Sequence, residues 1–140
     1  LEKLGERQTS DKPILIAEDS MLLAKMIVES LHRSGYHNTI KTDNGQEAWN
    51  YLCEVKNSDD PVKDHVACII SDIEMPLMDG HRLTKLVKED PELRDIPLML
   101  FSSLINEEMR KKGEQLGANA QISKPEIANL VNLIDQFTNA

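Results

Sequence analysis

Short apolar runs alternate with longer amphipathic segments along the chain. The run from Ile14 to Ala17 precedes a segment in which apolar residues recur at helical spacing and which stops near Gly35. Short apolar runs bounded by turn residues predict buried strands, and the amphipathic segments between them predict helices. The predicted strands are 14–17, 38–42, 66–71, 98–101 and 120–122, and each is followed by a predicted helix.

Five strand–helix repeats predict an α/β protein with a doubly wound parallel sheet, covered by helices on both faces. The length of 140 residues suits one domain. We expect residues 1–12, which are polar and lack a clear period, to be a linker from an upstream domain, and residues 13–140 to form the domain itself. The polar stretch Lys56–His65 is predicted to be a surface loop.

Composition excludes some classes of function. The formal net charge is -8, from 16 Lys+Arg and 24 Asp+Glu, and this argues against a nucleic-acid partner. No apolar run is long enough to span a membrane, so we expect no membrane insertion and a cytoplasmic location. Cys53 and Cys68 are expected to be buried reduced thiols. The histidines show no metal-ligand spacing and are expected at the surface, namely His32, His37, His65 and His81.

Polar residues that carry chemistry follow four of the five predicted strands. Glu18 and Asp19 follow the first strand, Asp72 the third, Ser102 the fourth and Lys124 the fifth. The carboxyl ends of parallel strands meet at one edge of a sheet, which is where ligands of such sheets bind. We therefore expect these side chains to converge, with the Asp72 carboxylate facing solvent at its strand tip.

Three converging carboxylates would repel one another unless a cation neutralised them. If the first and third strands are neighbours, Glu18, Asp19 and Asp72 meet, and Mg²⁺ is the cation that suits oxygen ligands and leaves room for phosphate. Lys124 adds a positive charge and Ser102 a hydroxyl donor. This set suits phosphoryl transfer, with Asp72 as the nucleophile.

These motifs resemble those of the response-regulator receiver domains of the CheY-like superfamily, from about Pro13 to about Phe137. The resemblance is carried by the acid pair after the first strand, by Asp72 with the turn Met75–Gly80, by Ser102–Ser103, and by Lys124–Pro125. It implies the flavodoxin-like (βα)5 fold with strand order 2-1-3-4-5. It also implies a signalling domain that is phosphorylated on its own aspartate and is not a multi-turnover enzyme.

The resemblance assigns roles residue by residue. Asp72 would be the phospho-acceptor and would bind Mg²⁺ together with Asp19. The backbone carbonyl of Glu74 would be a third ligand, and Glu18 would act largely through water. Lys124 would pair with the phosphoryl group and Ser102 would donate a hydrogen bond to it, so that the full set of implied site residues is Glu18, Asp19, Asp72, Glu74, Ser102 and Lys124.

A narrower resemblance concerns the segments 101–110 and 117–126, which look like the receiver half of CheV-type chemotaxis coupling proteins. It implies an upstream CheW-like adaptor domain and the histidine kinase CheA as phosphodonor. One departure stands out, because many receivers carry an aromatic residue three positions before the lysine and this chain has Gln121.

Two other functions compete with this interpretation. The segment Asp72–Ile73–Glu74 is loosely similar to the Asp-x-Asp motif of haloacid-dehalogenase-type phosphatases, but that family places its nucleophile on the first strand. The chain could also be a pseudo-receiver, which is a binding module that works without phosphate. The complete set of acids, hydroxyl and lysine argues against the second alternative.

Overall fold

The computed structural model describes residues 11–103, 105–123 and 127–139. The strands are β1 (Ile14–Ala17), β2 (Thr39–Thr42), β3 (Cys68–Asp72), β4 (Leu98–Ser102) and β5 (Ala120–Ser123). The helices are α1 (Met21–Arg33), α2 (Gly45–Lys56), α3 (Val62–His65), α4 (Gly80–Glu89), α5 (Glu107–Leu116) and α6 (Ile127–Asn139).

The five strands form one parallel sheet in the order β2-β1-β3-β4-β5, which confirms the flavodoxin-like α/β prediction. The central strand β3 pairs with β1 on one side and with β4 on the other. Ser71 is in register with Ala17 and with Leu100, so the carboxyl ends of these three strands lie side by side. The order reverses between β1 and β3, and this switch point is where such sheets bind ligands.

Alternate residues of each strand enter two separate hydrophobic cores. Leu15 and Ala17 of β1 pack into the core that holds the buried residues of α2 and α4, whereas Ile14 and Ile16 pack into the core formed with α1 and α6. Both cores are needed because side chains point to opposite faces along a strand. Full burial of a Leu or Ile side chain is worth about 1.5–3 kcal/mol, so this double cover holds the strand register firmly.

Polar side chains cap the amino ends of four helices. Each accepts a hydrogen bond from a backbone N–H in the first turn, as the caps of helices usually do. Ser20, Asp79 and Asn106, all of residue types that favour this position, cap α1, α4 and α5. Asn44 caps α2 by accepting a hydrogen bond from the Glu47 amide.

The stretch Lys56–His65 differs from its prediction as a surface loop. Its last four residues form the short helix α3, which Pro61 precedes and which ends where the Val66 N–H donates to the Val62 carbonyl. Strand β3 accordingly begins at Cys68 rather than at Val66. Of the predicted linker 1–12, residues 1–10 lie outside the described residues.

The two cysteines are free, as predicted. Cys53 is half-buried and Cys68 is buried in β3, where burial raises the pKa of the thiol to about 12. Cys68 is therefore a protonated core side chain at neutral pH. No helix within the described ranges is both long enough and apolar enough to cross a membrane.

The prediction that every histidine lies at the surface is wrong for His81. This side chain is only 6% exposed, and it lies on α4, which packs against α5. Burial, together with the positive charge of Lys112, lowers the pKa of His81, and the Asp79 carboxylate partly opposes this effect. His81 is therefore neutral at physiological pH.

The burial of His81 predicts a pH dependence of stability. An unfolded histidine has a pKa near ~6.5 and takes up its proton more readily than the folded one. The free energy of unfolding should therefore decrease as the pH falls from about 6.5 towards the lower pKa of the folded state. Urea unfolding measured from about pH 5 to about pH 8 tests this. The dependence should shrink in His81→Leu and persist in His32→Gln, whose histidine is exposed.

Gly80 packs against the backbone of the site strand, and this contact generates a second prediction. A Cβ atom at Gly80 would lie 2.2 Å from the Asp72 carbonyl oxygen and 2.9 Å from the Ile73 Cα. The Gly80 N–H donates a hydrogen bond to the Ile73 carbonyl at 2.8 Å. Gly80→Ala should lower the free energy of unfolding by about 1–3 kcal/mol, because backbone atoms must move apart. Lys85→Ala, at an exposed position of α4, should change it by less than about 0.5 kcal/mol.

Candidate functional site

Three carboxylates meet where β1 and β3 end. Glu18 and Asp19 follow β1 directly, and Asp72 is the last residue of β3. Because Ala17 is in register with Ser71, these residues leave the sheet side by side. One carboxylate oxygen from each residue lies within 4.8 Å of the others. The predicted convergence of Glu18, Asp19 and Asp72 is thus a feature of the structure.

The three acids differ in their exposure to solvent. Asp19 is exposed, whereas Glu18 is 1% and Asp72 3% exposed. The expectation that Asp72 faces solvent is therefore wrong. Strands β1 and β4 flank it, and the return of the chain at Gly80 covers the backbone behind it. The Asp72 carboxylate is therefore buried, while Asp19 in the same cluster is exposed.

Backbone groups orient Glu18. Its own N–H donates to the Thr42 carbonyl at 3.1 Å, and this bond extends the pairing of β1 and β2 by one residue. Its Oε2 accepts from the Ser20 N–H at 3.0 Å. Since the Ser20 hydroxyl caps α1, the carboxylate lies at the amino end of a helix, where the helix dipole favours negative charge.

The carboxylates repel one another at these separations. A pair of unit charges about 4.8 Å apart costs roughly 3–4 kcal/mol at an effective dielectric constant of about 20. Hard divalent cations relieve this repulsion and prefer carboxylate and carbonyl oxygens as ligands. The residues present therefore fit a magnesium-type ion, with the exposed Asp19 on the side open to solvent.

The remaining predicted residues occupy neighbouring positions. Ser102 ends β4 with no exposed surface, and it directly follows Phe101, which is in register with Asp72. Glu74 is exposed in the segment that follows β3. Lys124 lies outside the described residues, but Ser123 before it ends β5 and is in register with Ser102. The carboxyl ends of β3, β4 and β5 thus line up at the same edge of the sheet.

Contacts that hold the segment after Asp72 were not predicted. The Gly45 N–H at the start of α2 donates to the Met78 carbonyl at 3.1 Å, and a Cβ at Gly45 would lie 2.3 Å from that oxygen. Leu77, which precedes Met78, has a left-handed backbone with φ 67° and is 84% exposed. The Asn44–Gly45 pair was the available signal, because a glycine after a cap residue permits such close approach.

Comparison with known proteins agrees with this geometry. The family model described as "Response regulator receiver domain" matches residues 14–135. The polar-differentiation response regulator DivK of Brucella ovis is 33% identical over 114 residues, which are 81% of this chain and 85% of DivK.

Solved structures show the same similarity. The receiver domain of a signal transduction histidine kinase from Syntrophus aciditrophicus is 31% identical, with a TM-score of 0.78 over 91% of this chain and 90% of that one. The Mn²⁺-bound form of the response regulator Rcp1 is 26% identical, with a TM-score of 0.75 over 90% and 93% of the two chains. With this fold, this acidic cluster and a family match over most of its length, the chain belongs to the response regulator receiver domain family.

Proposed function

We propose that this chain is a magnesium-dependent phospho-acceptor domain of a two-component phosphorelay, phosphorylated on Asp72 by a histidine kinase. The observation that carries the proposal is the convergence of Glu18, Asp19 and Asp72 at the switch point of the sheet. Receiver domains accept phosphoryl groups from histidine kinases and act as signalling modules rather than as enzymes on external substrates. In this chain, the residue proposed to accept the phosphoryl group is Asp72.

The reaction begins with the Asp72 carboxylate. One of its oxygens attacks the phosphorus of a phosphohistidine, a P–O bond forms and the P–N bond breaks. The product is an acyl phosphate on Asp72, and the released imidazole nitrogen takes a proton from solvent. Burial of Asp72 favours this chemistry, because removal of water around a carboxylate makes it a less solvated nucleophile.

A magnesium ion bound at the acidic cluster would neutralise the charge of the phosphoryl oxygens during transfer. The proposed direct ligands are the carboxylates of Asp19 and Asp72 and the backbone carbonyl of Glu74, and Glu18 would act largely through water. The low exposure of Glu18 and its bond from the Ser20 amide support an indirect role, since its carboxylate is held in place by the protein itself.

Ser102 and Lys124 are proposed to bind the transferred group. Ser102 would donate a hydrogen bond from its hydroxyl group to a phosphoryl oxygen, and its position one residue beyond the strand partner of Asp72 supports this. Lys124 would pair with the same group from the end of β5. Neither role requires these residues to exchange protons with the phosphate.

The narrower proposal is a receiver of the CheV type, with a CheA-like kinase as donor and a CheW-like adaptor domain upstream, joined through the linker 1–12. It rests on the resemblance of the segments 101–110 and 117–126. The similarity to DivK, a polar-differentiation regulator, points to another pathway with the same chemistry. The complete gene decides between them, because an upstream CheW-like domain is expected only for the coupling protein.

The first test concerns the acceptor. Incubation with acetyl phosphate and Mg²⁺ should add the mass of one phosphoryl group to the protein, and Asp72→Asn should abolish this gain. Asp59→Asn, which removes an exposed acid from the stretch before α3, should leave it unchanged. Absence of any mass gain in the unmodified protein, together with no response to beryllofluoride, would instead favour a pseudo-receiver. Repeated turnover of small phosphate esters would favour the phosphatase alternative.

The second test concerns the metal. Asp19→Asn should raise the Mg²⁺ dissociation constant roughly tenfold or more, because a charged ligand is lost. Without Mg²⁺ the same change should not lower the thermal midpoint, since it removes one of three repelling charges. Calorimetric titration and thermal unfolding measure the two quantities, with Asp59→Asn as the control. A variant with unchanged Mg²⁺ affinity would contradict the proposed ligand set.

A further inference from the structure

Two histidines lie close together at the carboxyl end of α1. His32 is in the last turn of the helix, and His37 follows the turn after it. The centroids of the two imidazole rings are 5.5 Å apart, and the ring planes are inclined by 42°. Four residues separate the pair, within the range of about three to five that separates many paired histidine ligands of zinc. For this pair, the lack of metal-ligand spacing stated from the sequence does not hold.

The fold holds the backbone between the two histidines in place. Leu31, which precedes His32, is fully buried, and Gly35 has a left-handed φ of 97° that lets the chain reverse. The Tyr36 N–H donates to the Leu31 carbonyl at 2.8 Å, and the Tyr36 side chain is buried. Each histidine therefore follows a buried neighbour, whereas its own side chain is exposed. The positions of the two exposed rings are thus set by buried residues.

Two imidazole rings at this separation can bind one metal ion. A metal–nitrogen bond is about 2.0–2.1 Å long, and a ligand nitrogen lies roughly 1.2 Å from the centroid of its ring. Two rings on one tetrahedral ion therefore have centroids roughly 5 Å apart, and the observed 5.5 Å differs little from this distance. In the described part of the chain, neither ring forms a hydrogen bond or an ion pair, so both can turn their nitrogens toward an ion.

The ligand chemistry of this pair differs from that of the acidic cluster. Imidazole suits Zn²⁺, Ni²⁺ and Cu²⁺, whereas carboxylates suit Mg²⁺. Among the described residues, only Glu18, Asp19 and Asp72 bring three metal-binding side chains together, so no further histidine, cysteine or carboxylate accompanies the pair. Water would fill the other coordination positions. An ion held in this way stays accessible to solvent and exchanges readily.

The pair also lies away from the acidic cluster. The Asn38 carbonyl, next to His37, accepts from the Ile14 N–H at the start of β1 at 2.9 Å, whereas Glu18 follows the end of that strand. Strand residues rise about 3.3 Å each, so the length of β1 places the two sites more than roughly 10 Å apart. Two cations can therefore bind independently at opposite ends of β1.

We propose that His32 and His37 form a second metal site, which chelates a transition-metal ion of the Zn²⁺ and Ni²⁺ class. The ion would connect the last turn of α1 to the segment that leads into β2. The two ligands meet only in the folded chain, so the ion should stabilise the fold. This site does not involve Asp72, and it goes beyond the proposed phosphoryl chemistry.

The first experiment is a calorimetric titration with Ni²⁺ in the presence of excess Mg²⁺, which competes for the oxygen ligands. One Ni²⁺ should bind per chain at the histidine pair. His32→Gln and His37→Gln should each weaken binding roughly tenfold or more, because the ion loses one of two linked ligands. The double variant should lose much less affinity than the product of the two single losses, which indicates chelation. Unchanged affinity in either single variant, or losses that simply multiply, would overturn the proposal.

His65→Gln is the matched control for the titration. The His65 ring lies 3.2 Å from the Asp60 carboxylate, so its removal tests whether any histidine outside the pair accounts for the binding. This variant should leave the Ni²⁺ affinity unchanged, and a loss of affinity would contradict the assignment. His32→Gln without metal should keep the urea midpoint of the unmodified protein, because the side chain is exposed.

NMR spectroscopy locates the ion directly. Paramagnetic Ni²⁺ should broaden the ring protons of His32 and His37 before those of the other two histidines. Saturating Ni²⁺ should also raise the thermal midpoint of the unmodified protein but not that of His32→Gln. Broadening that begins at the acidic cluster or at Cys53, with the two rings unaffected, would assign the Ni²⁺ to another site and overturn the proposal.

Discussion

Repulsion among three carboxylates is the interaction on which the rest of this structure depends. Glu18, Asp19 and Asp72 cannot move apart, because β1 and β3 are paired in register and buried on both faces. The apolar cores thus maintain a charge arrangement that water alone would disperse. Such an arrangement favours a hard cation and, with it, a phosphoryl group.

The frame around the acidic cluster is built by close backbone contacts. Gly80 allows the chain to return against the Asp72 carbonyl, and Gly45 allows α2 to hold the Met78 carbonyl. Neither position tolerates a side chain without movement of backbone atoms. The segment after Asp72 is therefore held by backbone contacts at two points.

The other side of the site is less rigid. Helix α5 buries almost no side chain of its own, and its contact with Gln121 leaves a buried amide oxygen without a donor among the described residues. The acidic cluster therefore lies between strands that are buried on both faces, whereas α5, which follows β4, contributes little buried surface of its own.

The sequence by itself determined the strands, most helix caps and the edge at which the polar residues meet. The continuous apolar run Ile14–Ala17 and cap residues such as Ser20 and Asp79 are local features of the chain, so they can be recognised without coordinates. The strand order came from resemblance to a family, since local pattern does not specify which strands are neighbours. The helical turn of α3 was missed because four residues are too short for a periodic signal.

Tertiary structure alone decided the burial of Asp72 and His81 and the contact between Gln121 and Gly113. Each depends on what a distant part of the chain places nearby, such as β4 beside Asp72 or α5 against β5. Hydrophobic periodicity indicates which face of an element is covered by the rest of the fold. It does not indicate which polar groups lose their contact with water as a result. The energy of a buried polar atom is set by its neighbours in space, and these are known only when the chain has folded.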